Sequence, residues 1–261
     1  MYEAVFMAAT GLTNQQRRLD VIADNLANVN SVGHRANRID FADALYTAGL
    51  NPSYPRTPEP DGNQRHGHGV ITASITRETR QGALQQTGQE LDLALEGRGY
   101  LSVADNEGNV FYKRGGSYYI SIEDDAARVV DAEGYYLQDE DGYALELPEG
   151  TSNITVTEDG SLAFVDGNGE VLETHKLGIY EFTNELGLDS DGGDRYVETE
   201  ISGDMWVSER TKVHQGNLEM SNVDLAKEMT NMIRAQRAFQ LASRALTTAD
   251  DMEGLANTVR K

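Results

Sequence analysis

The stretch VFMAATGLTNQQRRLDVIADNLANV, residues 5–29, decides how this chain folds at its start. Val5, Leu12, Leu19 and Leu26 recur every seven residues, and Ala8, Gln15, Ile22 and Val29 interleave with them at the same interval. An apolar period of seven sustained over four repeats belongs to an α-helix with a narrow seam for a partner helix. Residues 3–30 hold no proline and only Gly11 as a weak interior position, so a single helix is expected there. At about 1.5 Å per residue it would run roughly 40 Å. The following DNLANVNSVG closes it, because Asn28, Asn30, Ser31 and Gly33 favour turns and left-handed backbone.

The far end of the chain repeats the pattern. Leu225, Met232, Phe239 and Leu246 are spaced by seven, with Met229, Gln236 and Ser243 between them. Ser221 is expected to begin this helix, with Asp224 three residues on as an S-x-x-D variant of the capping box. Gln15, Gln236 and Ser243 lie in the seams, where a polar side chain sacrifices stability to fix register; ordinary surface polarity is the alternative. Asn25 and Asn28, at the exit of the first helix, either bond a neighbouring chain's backbone or cap their own helix.

The segment between the helices has another texture. Four of the five prolines (Pro52, Pro55, Pro58, Pro60) fall between 51 and 69, as expected of an extended linker. From about 70 to 214 come short alternating runs, among them VITASIT, YLSVAD, SYYISI, ITVTEDG and LGIYEF, punctuated by Gly, Asp and Asn and rich in tyrosine. Period-two alternation between DG and NG turns predicts antiparallel hairpins. The expected fold is therefore α+β: N- and C-terminal helices pairing as a coiled-coil-like bundle, with an antiparallel β-rich middle. The expected divisions are an assembly helix at 1–33, an extended proline-rich linker at 34–69, a β-rich domain at 70–214 and a second assembly helix at 215–261.

Charge separates the same regions. The formal net charge is -21, yet residues 1–48 hold four Lys/Arg against five Asp/Glu, and residues 215–261 hold six against six. Nearly the whole excess sits in the β-rich stretch, either as a solvated acidic face or as adaptation to a salty medium. No nucleic-acid partner is expected for such a surface. The absence of cysteine rules out disulfides, thiolate nucleophiles and Cys-based zinc sites. No apolar run reaches 18 residues, so no membrane-spanning helix is expected. In MYEAVFMAATGLTNQQRR the basic pair follows the apolar stretch, the wrong order for a Sec signal peptide.

Candidates for chemistry are weak. His66 and His68 with Asp61 nearby could present imidazoles to a metal, but no third strong ligand accompanies them. The acidic runs at 189–194 and 139–142 invite a calcium reading. Counting from Asp189, however, Asp194 stands where an EF-hand needs glycine, so acidic hairpin turns explain them better. Gly97-Arg98-Gly99 lacks the lysine and helix of a phosphate loop, and Ser117 lacks a nucleophile elbow. No cofactor, metal site or catalytic group is expected.

Taken together, the two ends resemble the flagellar basal-body rod and hook family. GLTNQQRRLDVIADNLANVNSVGHRANRIDF, residues 11–41, is similar to its N-terminal signature, through Gly11, Gln15, Leu19, Asn25, Leu26, Ala27, Asn28 and Gly33. QGNLEMSNVDLAKEMTNMIRAQRAFQLASRALTTADDM, residues 215–252, is similar to the C-terminal one, through Gly216, Leu218, Ser221, Asn222, Val223, Met229, Ile233, Gln236, Arg237, Phe239 and Asp250. GQELDLALEGRGYLSV and FYKRGGSYYI resemble the family's middle-domain strands. His34 and Asp24 depart from the family's usual residues at their positions. The length resembles that of the rod members, those of the distal rod in particular; proximal rod members and hook-like paralogues are the neighbouring possibilities.

The resemblance implies a non-enzymatic subunit exported unfolded through the flagellar type III apparatus. It would join copies of itself and neighbouring rod and hook proteins in a helical tube at the basal body, with helices lining the tube and the β-rich domain outside. The expected contact residues are Val5, Leu12, Leu19, Ile22, Asn25, Leu26, Asn28 and Val29 at one end. At the other they are Leu225, Met229, Met232, Gln236, Phe239 and Leu246. A calcium-dependent β-rich surface-binding protein and a cell-wall hydrolase are the alternatives of other classes.

Overall fold

The computed structural model of the chain describes residues 2–44, 46–48, 65–67, 69–123, 126–208 and 210–259. Two long helices stand at the ends, α1 at Tyr2–Ala27 and α2 at Leu225–Val259, with antiparallel strands between them. The proline-rich linker expected at 51–69 falls almost wholly outside the described residues. Contacts divide the chain into two units: Met1–Ala27, Asn37–Arg77 and Asp224–Lys261 form a helical unit, and Asn28–Ala36 with Glu78–Val223 form a β-rich unit.

In the helical unit α1 and α2 pack on each other, and α1 also packs on a two-stranded antiparallel hairpin. That hairpin pairs Asn37–Asp43 with Val70–Arg77, from Asn37 opposite Arg77 to Asp43 opposite Val70, with a register shift between Asp40 and Phe41. The helix ends follow local chemistry. Asp224, rather than Ser221, caps α2: its Oδ1 accepts from Lys227 N–H at 3.1 Å and its carbonyl from Glu228 N–H at 2.9 Å. Ser221 Oγ instead accepts from Val223 N–H in the approach to the helix. Past α1, Ser31 N–H bonds Asn28 O, and Gly33 takes a φ of 71° that a side chain resists.

The β-rich unit is built on one large antiparallel sheet. Its main path runs 189–190, 195–197, 110–113, 100–104, 136–137, 126–131, 115–123, 92–96 and 212–215. A separate meander of Thr151–Val156, Ser161–Asp166 and Val171–Lys176 adds three strands. Leu93, Leu95, Leu101, Val103, Val129, Leu137, Phe164 and Val213 fill the core, each worth about 1.5–3 kcal/mol when fully buried. A second cluster stacks Tyr100, Tyr112, Phe182 and Tyr196 edge to face, with Tyr112 and Phe182 centroids 4.9 Å apart. Gly115 is required where its strand crosses 92–96, since a Cβ there would lie 2.4 Å from Leu93 O.

Recurrent D-x-x-G turns join the strands. In the turns beginning at Asp105, Asp131 and Asp139, the carboxylate Oδ1 accepts backbone N–H groups two and four residues on. The glycine three residues on takes positive φ in each: Gly108, Gly134 and Gly142.

Candidate assembly surfaces

On α1 both expected rows are covered. Val5, Leu12, Leu19, Leu26, Ala8 and Gln15 are half-buried and Ile22 is buried, while Phe6, Ala9, Gln16, Asp20 and Ala23 are exposed. Val29 is also half-buried, but it lies beyond the helix, which stops at Ala27. Gln15 Oε1 is buried with no hydrogen bond among the described residues, the cost a polar residue exacts in a seam.

On α2 the covered row differs from the expected one. Met232, Phe239, Ser243 and Leu246 are half-buried, and Ala235, Ala242 and Ala249, three residues on rather than four, turn inward with them. Ala235 is only 1% exposed. Leu225 and Met229 are 47% and 53% exposed, and Gln236 is exposed too. Alanines let a neighbouring backbone approach more closely than Met or Gln would, so the small row turns in and the large one out. Leu225, Met229 and Ile233, at intervals of four, thus form an apolar strip on the open side of α2, and Leu241, Met252 and Leu255 are exposed farther along the helix.

The two asparagines at the α1 exit do different work. Asn25 is buried and holds one main-chain site from both sides: its Nδ2 donates to Asn37 O and its Oδ1 accepts from Asn37 N–H, each at 2.8 Å. It fixes its own chain's hairpin, so its amide is already committed within the fold. Asn28 accepts from Ser31 Oγ at 3.2 Å, within the local turn. Sequence reading missed Asn14, also buried, whose Nδ2 donates to Val70 O and Thr10 O and whose Oδ1 accepts from Thr72 Oγ1. The signal was available: Asn14 lies one residue outside the seam, on a helix flank that an exposed helix would not bury.

In the β-rich unit a buried ionic network gathers residues far apart in sequence. Glu219, 2% exposed, bonds Arg35 Nη2 at 2.7 Å, Arg114 Nη2 at 3.1 Å and Gly82 N–H at 2.8 Å. Arg114 also donates to the carbonyls of Gly97 and Gly99. Those carbonyls face a cation, so the Gly97-Arg98-Gly99 loop is committed to an arginine. Beside it, Lys113 Nζ lies 2.8 Å from Asp131 and 3.0 Å from Asp194. A Cβ on Gly33 would touch the side chains of both Asp194 and Arg114, so the two groups are neighbours and their six charges cancel. Burial lowers the Arg35 guanidinium below its ordinary value despite Glu219. Burial alone would lower Lys113, but Asp194 and Asp131 outweigh it and leave it raised. Burial likewise raises Asp194, against the pull of Lys113.

The acidic runs are turns. Asp139 in the 139–142 run turns its carboxylate on its own amides, and Asp189–Ser190 pairs with Arg195–Val197 across the 189–194 run. Among the described residues no group of three or more His, Asp or Glu could hold a metal ion. The His66, His68 and Asp61 side chains lie outside the described residues. No described helix is long and apolar enough to cross a membrane.

Terminal helices with a β-rich segment between them in the sequence agree with the resemblance to the flagellar rod and hook family. Three family descriptions match in chain order: flagella basal body rod protein over 7–35, flagellar hook protein FlgE/F/G D1 domain over 94–164, and flagellar basal body rod FlgEFG protein C-terminal over 214–259. The chain belongs to the flagellar basal-body rod protein family, whose members are structural proteins and not enzymes. It is 36% identical to the flagellar basal-body rod protein FlgG of Borreliella burgdorferi, over 100% of both chains. It is 32% identical to FlgG of Bacillus subtilis, again over 100% of both. The flagellar hook-basal body complex protein FlhP of Bacillus subtilis is 30% identical over 100% of both.

Proposed function

We propose that the chain is a structural subunit of the flagellar basal-body rod, of its distal part, which self-assembles into a helical tube carrying torque from motor to hook. The end-to-end match to FlgG proteins supports this most directly. The helical unit supplies the physical means. Its two helices pair as a coiled-coil-like bundle that satisfies the α1 seam internally, while Leu225, Met229 and Ile233 stay open to other copies. Contact between unlike faces of successive copies generates an open helical array. Its partners are further copies, neighbouring rod and hook proteins and, before assembly, the flagellar type III export apparatus; its place is the basal body. The 30% identity to FlhP over the whole chain favours a hook-like paralogue as the second reading.

Electron microscopy of basal bodies from a strain lacking the chain tests this, with complementation by the full chain and by a version lacking residues 1–30. Truncated rods rescued only by the full chain are expected, and the truncation point separates distal from proximal placement. Intact rods and hooks in the deletion strain would overturn the assignment.

A further inference from the structure

The chain's net charge is divided between its units without remainder. The helical unit holds twelve Lys/Arg and twelve Asp/Glu, whereas the β-rich unit holds ten Lys/Arg and 31 Asp/Glu. All of the -21 belongs to the β-rich unit.

The structure shows what becomes of eight of that unit's ten cations. Arg35 and Arg114 are buried against Glu219, and Lys113 against Asp131 and Asp194. Arg98, Arg128, Lys176, Arg195 and Lys212 each pair with a glutamate of the same unit. Cations already held this way are poorly placed to reach carboxylates on another copy. In the exposed Asp105 turn, bonds from the Asn109 side chain and from backbone amides hold the carboxyl below its ordinary value. Two β-rich units brought together therefore present like charge to like charge, while two neutral helical units do not.

From this we infer that polymerisation of the chain is gated by ionic strength through its β-rich unit. The inference rests on the rod-subunit assignment, since it concerns copies packed in an array. The helices drive association through apolar contact, which salt screening does not weaken. The β-rich units oppose it through a repulsion that acts over roughly 30 Å at 0.01 M salt, about 10 Å at 0.1 M and only about 3 Å at 1 M. Assembly then begins where the screening length falls below the spacing of neighbouring units. The gating cation acts as an unspecific screen, so monovalent and divalent salts at equal ionic strength are expected to serve alike.

The test is sedimentation of the purified full chain, with electron microscopy of the pellet, across NaCl from about 0.01 to 1 M and across MgCl2 at matched ionic strengths. A second protein carries Glu107→Gln, Glu149→Gln, Glu170→Gln and Glu200→Gln, four exposed glutamates. The expected result is ordered polymer that appears only above a threshold salt concentration, the same ionic strength for both salts, and a lower threshold for the quadruple variant. Polymer with a salt-independent midpoint, or an unmoved midpoint in the variant, would overturn the gating while leaving the rod assignment standing. Polymer in MgCl2 alone would replace screening with cation bridging and so overturn it too. Absence of polymer in every salt would remove the self-assembly on which both conclusions rest.

Discussion

Replacing Glu219 by glutamine removes one negative charge and almost no volume. The new amide keeps an oxygen that can accept from Gly82 N–H, so the backbone contact at 2.8 Å survives. What is lost is the countercharge to two guanidiniums, Arg35 at 7% exposure and Arg114 at 3%. Breaking a buried ionic group by deleting one partner costs about 3–5 kcal/mol, because the remaining charge stays desolvated. At about 2–4 °C per kcal/mol for a unit of this size, the midpoint of thermal unfolding should fall by roughly 6–20 °C. Glu146→Gln provides the contrast. It breaks the Arg128–Glu146 pair, which has nearly the same separation, 2.8 Å, but a 57% exposed carboxylate. Solvent screening makes that loss far smaller. Differential scanning calorimetry on both variants reads the difference. Equal shifts would refute the claim that burial, rather than proximity, gives the Glu219 network its weight.

Asn25→Ala leaves the N–H and C=O of Asn37 without their partner and should cost about 2–4 kcal/mol, seen as faster hydrogen exchange in the hairpin of 37–43 and 70–77. Unchanged exchange there would mean that water replaces the amide without loss. Leu19→Asp or Phe239→Asp should abolish assembly while the β-rich unit keeps its near-ultraviolet circular dichroism; an ordered rod carrying either charge would contradict the helix packing. Stability should also fall on the alkaline side. Lys113 is raised above 10.5, so its contribution is complete below that pH and is lost as the solution passes its folded value. Burial pushes the Tyr112 hydroxyl up to about 12, which acts in the same direction. Denaturant midpoints that hold constant between pH 10 and about 12 would contradict both assignments.

Much of the α1 interior could be read directly. Val5, Leu12, Leu19 and Ile22 point inward because a helix places residues seven apart on one face whatever it packs against, and that periodicity is a local property. The acidic turns were equally legible, since Asp and Gly three residues apart carry the hydrogen bonds and the backbone freedom of the turn within a few residues. On α2 the heptad suggested one frame where the sequence admits two. Met229 with Gln236 and Ala235 with Ala242 both alternate with Met232 and Phe239, and hydrophobicity alone favours the frame with methionine. Only the close approach of a second helix selects the alanines.

Asn25 shows the same division: its place at the helix exit was visible, but not that Asn37 would come within reach of both its amide atoms. The amino-acid order by itself determined the helices, the alternation of the strands, the turn chemistry, the uneven charge and the family. The tertiary structure alone decided which helix row is covered, and that Arg35, Arg114 and Glu219 meet in one buried group. Local order sets periodicity and propensity through neighbours a few residues apart, whereas desolvation and charge pairing depend on segments that become neighbours only when the chain folds.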